Sequence, residues 1–112
     1  MSEAKPNDAF QADICANLLK ALGEPLRLRI VDLLRQGEMT VSDIAETLEV
    51  EIVTASHHLQ ILKHAHLVDP QRDGRFIYYR LREDMLKTVK GQRSQFLDLG
   101  CCRIEVPCEK TR

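Results

Sequence analysis

Three of the four cysteines, Cys101, Cys102 and Cys108, fall within eight residues near the C-terminal end. Thiolates are soft donors, so a cluster of them without histidine favours soft, thiophilic ions over hard cations. Neighbouring thiols also oxidise readily. A disulfide between adjacent residues is strained, which makes Cys108 the expected partner for either Cys101 or Cys102. Incidental cysteines in a loose chain end are the third reading. Five residues separate Cys102 from Cys108, enough for the chain to fold back, and Pro107 favours a bend just before the third sulfur. Glu105 or Glu109 could complete a site for a divalent ion, which keeps lead and cadmium open. The fourth cysteine, Cys15, lies by periodicity beside an apolar helix face and is expected to be buried rather than a ligand.

A second set of residues suits DNA. Thr54, Ser56, His57 and Gln60 are polar side chains on one short stretch that can reach phosphates or base edges, and Gln60 can in principle read adenine bidentately. Arg72 and Arg75 flank a turn and suit phosphate or narrow minor-groove contact. Glu51, at the start of the same stretch, would repel phosphate and is expected to point away from the duplex. Adjacent residues on a helix project about 100° apart, so His57 and His58 do not converge on one ion; DNA contact is expected of His57 and packing of His58. His64 and His66 read as surface residues at a helix end. A solvated polar helix beside an ordinary charged hairpin is the bland alternative.

These residues need elements to hold them. Apolar positions from Ala9 to Leu22 recur at helical spacing and stop at Gly23; Pro25 then opens a second helix that Gly37 closes. Thr40-Val-Ser-Asp43 resembles a capping box for a short helix to about Leu48. From Glu51 to His66, Ala55, Leu59 and Leu62 share one face, opposite Val53, His57, Gln60 and His64. Two short helices with a tight link are a helix-turn-helix. Leu67–Gln71 and Arg75–Leu81 flank Arg72-Asp73-Gly74, where Asp-Gly signals a hairpin and Pro70 confines its strand to an edge. A last helix is expected over Glu83–Leu99, although Gly91 weakens its middle. The predicted fold is therefore mainly α with a small β hairpin, a winged helix-turn-helix in the order α-α-α-α-β-β-α.

At 112 residues one modest core is available, and with only 4% aromatic residues a small helical domain gains stability by burying surface in a dimer. The net charge of −1 hides an asymmetry. Residues 1–53 sum to −5, while residues 54–82 sum to +3, so the middle of the chain is its basic part. Residues 1–6 lack the basic and apolar regions of a signal peptide, and no apolar run reaches membrane-spanning length, so the expected location is the cytoplasm, with no membrane partner. Structural disulfides are not expected there. No serine-histidine-aspartate order, phosphate loop or metal-water site is evident, which argues against an enzyme. A thiol metal carrier using the fold only for protein contacts stands as the competing class.

Leu22-Gly-Glu-Pro-Leu-Arg-Leu-Arg-Ile30, Ala55-Ser-His-His-Leu-Gln-Ile-Leu-Lys63 and the stretch Asp73-Gly-Arg75 with Tyr78-Tyr-Arg-Leu81 together resemble the ArsR/SmtB family of metal-responsive repressors over about residues 9–99. The resemblance implies a homodimer joined through its first and last helices, bound to an imperfect inverted repeat in operator DNA, with Ser56 and His57 at DNA-contacting positions. The family's third-helix cysteine site is absent, since Thr40-Val-Ser-Asp43 stands there, and no histidine follows His66 to build its last-helix zinc site. Asp98-Leu-Gly-Cys-Cys102 with Cys108 instead resembles the C-terminal arsenic site of one branch. That implies Cys101, Cys102 and Cys108 as ligands, trivalent arsenic or antimony as inducer with no permanent cofactor, and a role in arsenical resistance. Three thiolates form a trigonal cap that suits an ion whose lone pair takes the fourth direction, whereas zinc normally takes four ligands. The expected organisation is a flexible start at 1–8, a DNA-binding and dimerisation domain at 9–99 and an inducer-binding tail at 100–112.

Overall fold

The computed structural model describes residues 11–88 and 95–106. Its helices are α1 (Ala12–Leu22), α2 (Pro25–Leu34), α3 (Val41–Leu48) and α4 (Ile52–His64). Its strands are β1 (Met39–Thr40), β2 (Val68–Asp73), β3 (Phe76–Leu81), β4 (Leu86–Thr88), β5 (Gln95–Asp98) and β6 (Arg103–Val106). They form two three-stranded antiparallel sheets, ordered β1-β3-β2 and β4-β5-β6. Four helices with a hairpin behind the α3–α4 pair make a winged helix-turn-helix.

One core joins these elements. Each helix turns a stripe inward at helical spacing, as with Leu18, Ala21 and Leu22 on α1, or Ala55, Leu59 and Leu62 on α4. The sheet adds Val68, Tyr79 and Leu81, so β3 alternates as a half-buried strand should from Tyr78 to Leu81, while Phe76 and Ile77 at the wing end are both exposed. Pro70 sits on an edge strand, as its missing N–H requires. Strand β1 is too short for its sequence to signal it, and it pairs Met39 with Tyr79 and Thr40 with Tyr78.

Both helices of the helix-turn-helix end in the same way. The Leu67 amide donates to the Leu62 carbonyl and the His66 amide to that of Lys63, with His66 left-handed at φ 62°. After α3, the amides of Val50 and Glu49 donate to Ala45 and Glu46, with Glu49 at φ 59°. These are Schellman stops built without glycine. In the first, buried Leu62 and Leu67 supply the apolar contact that such a stop favours.

The expected last helix over Glu83–Leu99 is not formed among the described residues; β4 and β5 occupy 86–88 and 95–98. The physical reason is periodicity. Leu97 and Leu99 are buried while Phe96 and Asp98 are only half-buried, a period of two that pairs Leu97 with Leu86 on one side and Ile104 on the other. From Gly100 to Val106 the described residues stay with the domain, since Cys101, Cys102 and Ile104 pack against the core. The expected flexible start at 1–8 lies outside the described residues.

His66 occupies a conformation that costs an L-residue about 1–2 kcal/mol and glycine little. His66→Gly should therefore raise the unfolding free energy by about 0.5–1 kcal/mol, the rest being offset by the freer unfolded chain. Urea denaturation at fixed protein concentration is the check, and an unchanged or lowered midpoint would contradict the assigned stop.

Candidate functional site

The Thr40 hydroxyl accepts the Asp43 amide at 3.1 Å, so α3 begins with the cap its sequence suggested. Three residues, Glu49 to Glu51, then turn the chain into α4. With Ala55, Leu59 and Leu62 at 0–1% exposure, the opposite face is fixed outward. His57 is exposed there, and Thr54, Ser56 and Gln60 are half-buried beside it. Gln60 is partly engaged, its amide nitrogen donating to the Tyr79 hydroxyl at 3.4 Å, which ties α4 to β3. Glu51 is exposed and makes no side-chain cap bond. Val53, expected on the outward face but given no role, is exposed by 77%, and Ile52, which the sequence reading passed over, by 53%, both at the start of α4. Their signal was apolar residues lying off the buried stripe.

A second set of bonds holds α4 from behind. The Arg27 guanidinium donates through Nε to the Ala21 carbonyl and through Nη1 to His58 Nδ1 at 3.0 Å. Arginine only donates, so His58 accepts at Nδ1 and its ring proton sits on Nε2, 3.9 Å from Glu24 Oε2. Glu24 caps α2 by accepting the Arg27 amide at 2.9 Å. His58 thus packs as expected, half-buried on the inner side of α4.

The wing is the β2–β3 hairpin. Asp73 pairs with Phe76, so the loop is Gly74-Arg75 rather than one centred on Asp73-Gly74. Gly74 alone takes positive φ there, at 66°, the pattern of a turn with glycine first. Arg72 and Arg75 are both exposed, and Arg72 Nη1 donates to the Gly74 carbonyl at 3.5 Å. Thr54, Ser56, His57, Gln60 and the wing arginines therefore stand on elements anchored to one core.

The thiols meet elsewhere. Cys101 and Cys102 lie half-buried in the turn between β5 and β6, which Gly100 opens at φ 90° with its amide on the Asp98 carboxylate at 2.9 Å. Facing them from α1 is Cys15, 4% exposed. Cys15 is bonded to Cys101 as a disulfide with a Cα–Cα distance of 5.9 Å, and its sulfur lies 3.5 Å from that of Cys102. This corrects two expectations: a disulfide is present, and the partner of Cys101 is Cys15 rather than Cys108. The 86-residue separation explains why pairing within the tail looked preferable, since loop closure favours near neighbours in an open chain but not across a folded core. Cys108 lies outside the described residues.

The model of the bacterial regulatory protein arsR family matches residues 24–69, from the α2 cap to β2. The transcriptional repressor SdpR of Bacillus subtilis is 40% identical over 84 residues, covering 75% of this chain and 93% of that protein. The chain belongs to the ArsR family. A cadmium-resistance regulatory protein CadC homolog of Staphylococcus aureus is 36% identical, over 66% of this chain and 62% of its own length. Among solved structures, the homodimeric winged helix-turn-helix DNA-binding domain Mb0332 of Mycobacterium bovis is similar with a TM-score of 0.65 and 41% identity, covering 75% of this chain and 79% of that one. As an ArsR-family protein the chain is a DNA-binding transcriptional repressor, not an enzyme. No helix among the described residues is long and apolar enough to cross a membrane.

The Arg27 amide, as the largest influence, holds the Glu24 carboxyl below its ordinary value, against an opposing contribution from burial. A carboxyl depressed on folding contributes stability above its unfolded pKa and loses it as pH falls through the folded value. Glu24→Gln should therefore lower thermal stability at neutral pH, with the difference from wild type shrinking as the solution is acidified below the usual carboxylate range. A gap that stays constant down to strongly acid pH would exclude this cap as its source.

Proposed function

We propose that this ArsR-family repressor acts as a homodimer in the cytoplasm, holding an inverted repeat in operator DNA and releasing it when a trivalent arsenic or antimony ion is caught by cysteine thiolates. The observation that carries the proposal is the seating of Cys101 and Cys102 against the core in a cluster of donor atoms that, among the described residues, is made of cysteine sulfurs alone. An all-sulfur site selects soft ions. Cys101, Cys102 and Cys108 are the ligands that the family resemblance suggests.

On the DNA side, Thr54, Ser56 and His57 contact base edges or phosphate from α4. Gln60 joins them when DNA displaces its bond to Tyr79, and Ile52 and Val53 suit contact with thymine methyl groups. Arg72 and Arg75 carry the wing's phosphate contacts. Dimerisation has support from the similar homodimeric domain and from Ile14 and Leu19, exposed on α1 by 54% and 43%. The two half-sites then lie about one helical turn, roughly 34 Å, apart, and affinity depends steeply on the spacing of the paired α4 helices.

A second reading, a repressor switched by thiol oxidation, is favoured by the Cys15–Cys101 disulfide. Fluorescence anisotropy on the chain's own upstream promoter DNA separates the readings by titration with arsenite, zinc or peroxide. Arsenite should release the reduced protein, and Cys102→Ser should bind DNA normally yet resist release. Release by peroxide alone selects the redox reading, and release of Cys102→Ser by low arsenite would refute the ligand assignment. Replacing both Arg72 and Arg75 with Ala should weaken binding across sequences and lower the slope of log affinity against log salt by about 2. An unchanged slope removes the wing from the interface.

A further inference from the structure

The sulfurs of Cys15, Cys101 and Cys102 all lie within 4.8 Å of one another, and no other donor type joins them among the described residues. Sulfurs bound about 2.3 Å from one ion stand about 3.8 Å apart when splayed tetrahedrally, so three sulfurs held this close can reach one ion once the Cys15–Cys101 bond is reduced. Strand β6 leads away from the Cys101-Cys102 turn, carrying the chain about 13 Å by Val106 at ordinary strand rise. Cys15 is in place without any such return of the chain. Its seat on the inner face of α1 is set by the stripe of Leu18 and Leu22, and the opposing turn by the pairing of β5 with β6.

We infer that Cys15, Cys101 and Cys102 form one soft-ion site that ties α1 to the β5–β6 turn, and that oxidation of Cys15 with Cys101 closes it. This rests on the metalloid reading above and changes its third ligand from Cys108 to Cys15. In the reduced chain three thiolates cap a trivalent arsenic or antimony ion, two from the turn and one from the helix. Hydrogen peroxide removes the site: the Cys15 and Cys101 thiols form the S–S bond, their two electrons cleave the O–O bond, and their two protons leave in two molecules of water. Two of the three donors are then consumed. Cys102 stays free, 3.5 Å from the Cys15 sulfur, where its thiolate can attack Cys15 and release Cys101 by disulfide exchange. Ion and oxidant thus compete for the same sulfurs, and either one clamps α1.

The test uses the full-length reduced protein and arsenite. In operator anisotropy, Cys15→Ser should need at least about 100-fold more arsenite for half-release, while Cys108→Ser should stay within about threefold of wild type, because losing a ligand exceeds the 10–100-fold cost of losing a ligand's support. The reverse ranking overturns the inference while leaving the metalloid reading intact. Because Cys15 is buried and its substitution can disturb folding, the unsubstituted chain is also alkylated with and without arsenite and read by mass spectrometry. Protection of Cys15 together with Cys101 and Cys102 supports the site, and unchanged labelling of Cys15 on an arsenite-loaded protein refutes it. If wild type shows this protection but keeps its DNA, the site stands and the release reading falls. Peroxide-treated protein should fail to bind arsenite until reduced with dithiothreitol; arsenite binding that survives the peroxide counts against the shared sulfurs.

Discussion

What α4 offers to DNA depends on the burial of Ala55, Leu59 and Leu62 on its other side. The helix has little else to hold it, since it opens on Ile52-Val53-Thr54, three β-branched residues of weak helix propensity, and its N-cap Glu51 makes no side-chain bond. A 13-residue helix of that composition is marginal alone in water. Its order therefore comes from the core, with Arg27 on His58 adding directional bonds from α2. The outward face inherits that rigidity, which is why unremarkable polar side chains can form a reading surface.

Much of this was legible because helical periodicity and burial are the same fact seen twice. The four helices, the buried stripe of α4, the packing of His58 and the edge position of Pro70 followed from local pattern. Left-handed residues were not legible where they were not glycine. Glu49 and His66 take that conformation only because Schellman bonds and buried neighbours impose it, so the expected fourth helix ran two residues past its end at His64. The wing turn shifted by one residue for a related reason, since Asp-Gly and Gly-Arg both place glycine where positive φ is wanted.

The C-terminal third shows the limit of periodicity more sharply. Leu86, Val89, Phe96 and Leu97 fit a helical face, but Leu97 and Leu99 equally fit one face of a strand, and short apolar runs do not distinguish the two. The tie is broken by partners, Leu86 and Ile104, that no local window contains. The same blindness hid Cys15 from the thiol site. Its burial was readable from its own helix, but its neighbours lie 86 and 87 residues away and are brought there by the β5–β6 turn.

That long-range contact is also the most economical link between the two halves of the proposed function. Cys15 faces inward on α1, and the residue before it, Ile14, faces outward with Leu19 as the exposed apolar surface of the same helix. A helix packed at core density transmits a shift at one face to the other, because its side chains have no slack to absorb it. Tightening three sulfurs on an ion would thus move the face that a second copy would cover, and with it the spacing of two α4 helices on DNA. A hundredfold loss of DNA affinity asks only that the ion favour the displaced arrangement by about 2.7 kcal/mol, within the reach of a few charge-assisted sulfur contacts. On that proposal, linkage requires operator DNA to weaken ion binding by the same factor, so DNA-bound dimers would ignore low ion concentrations that free dimers would capture.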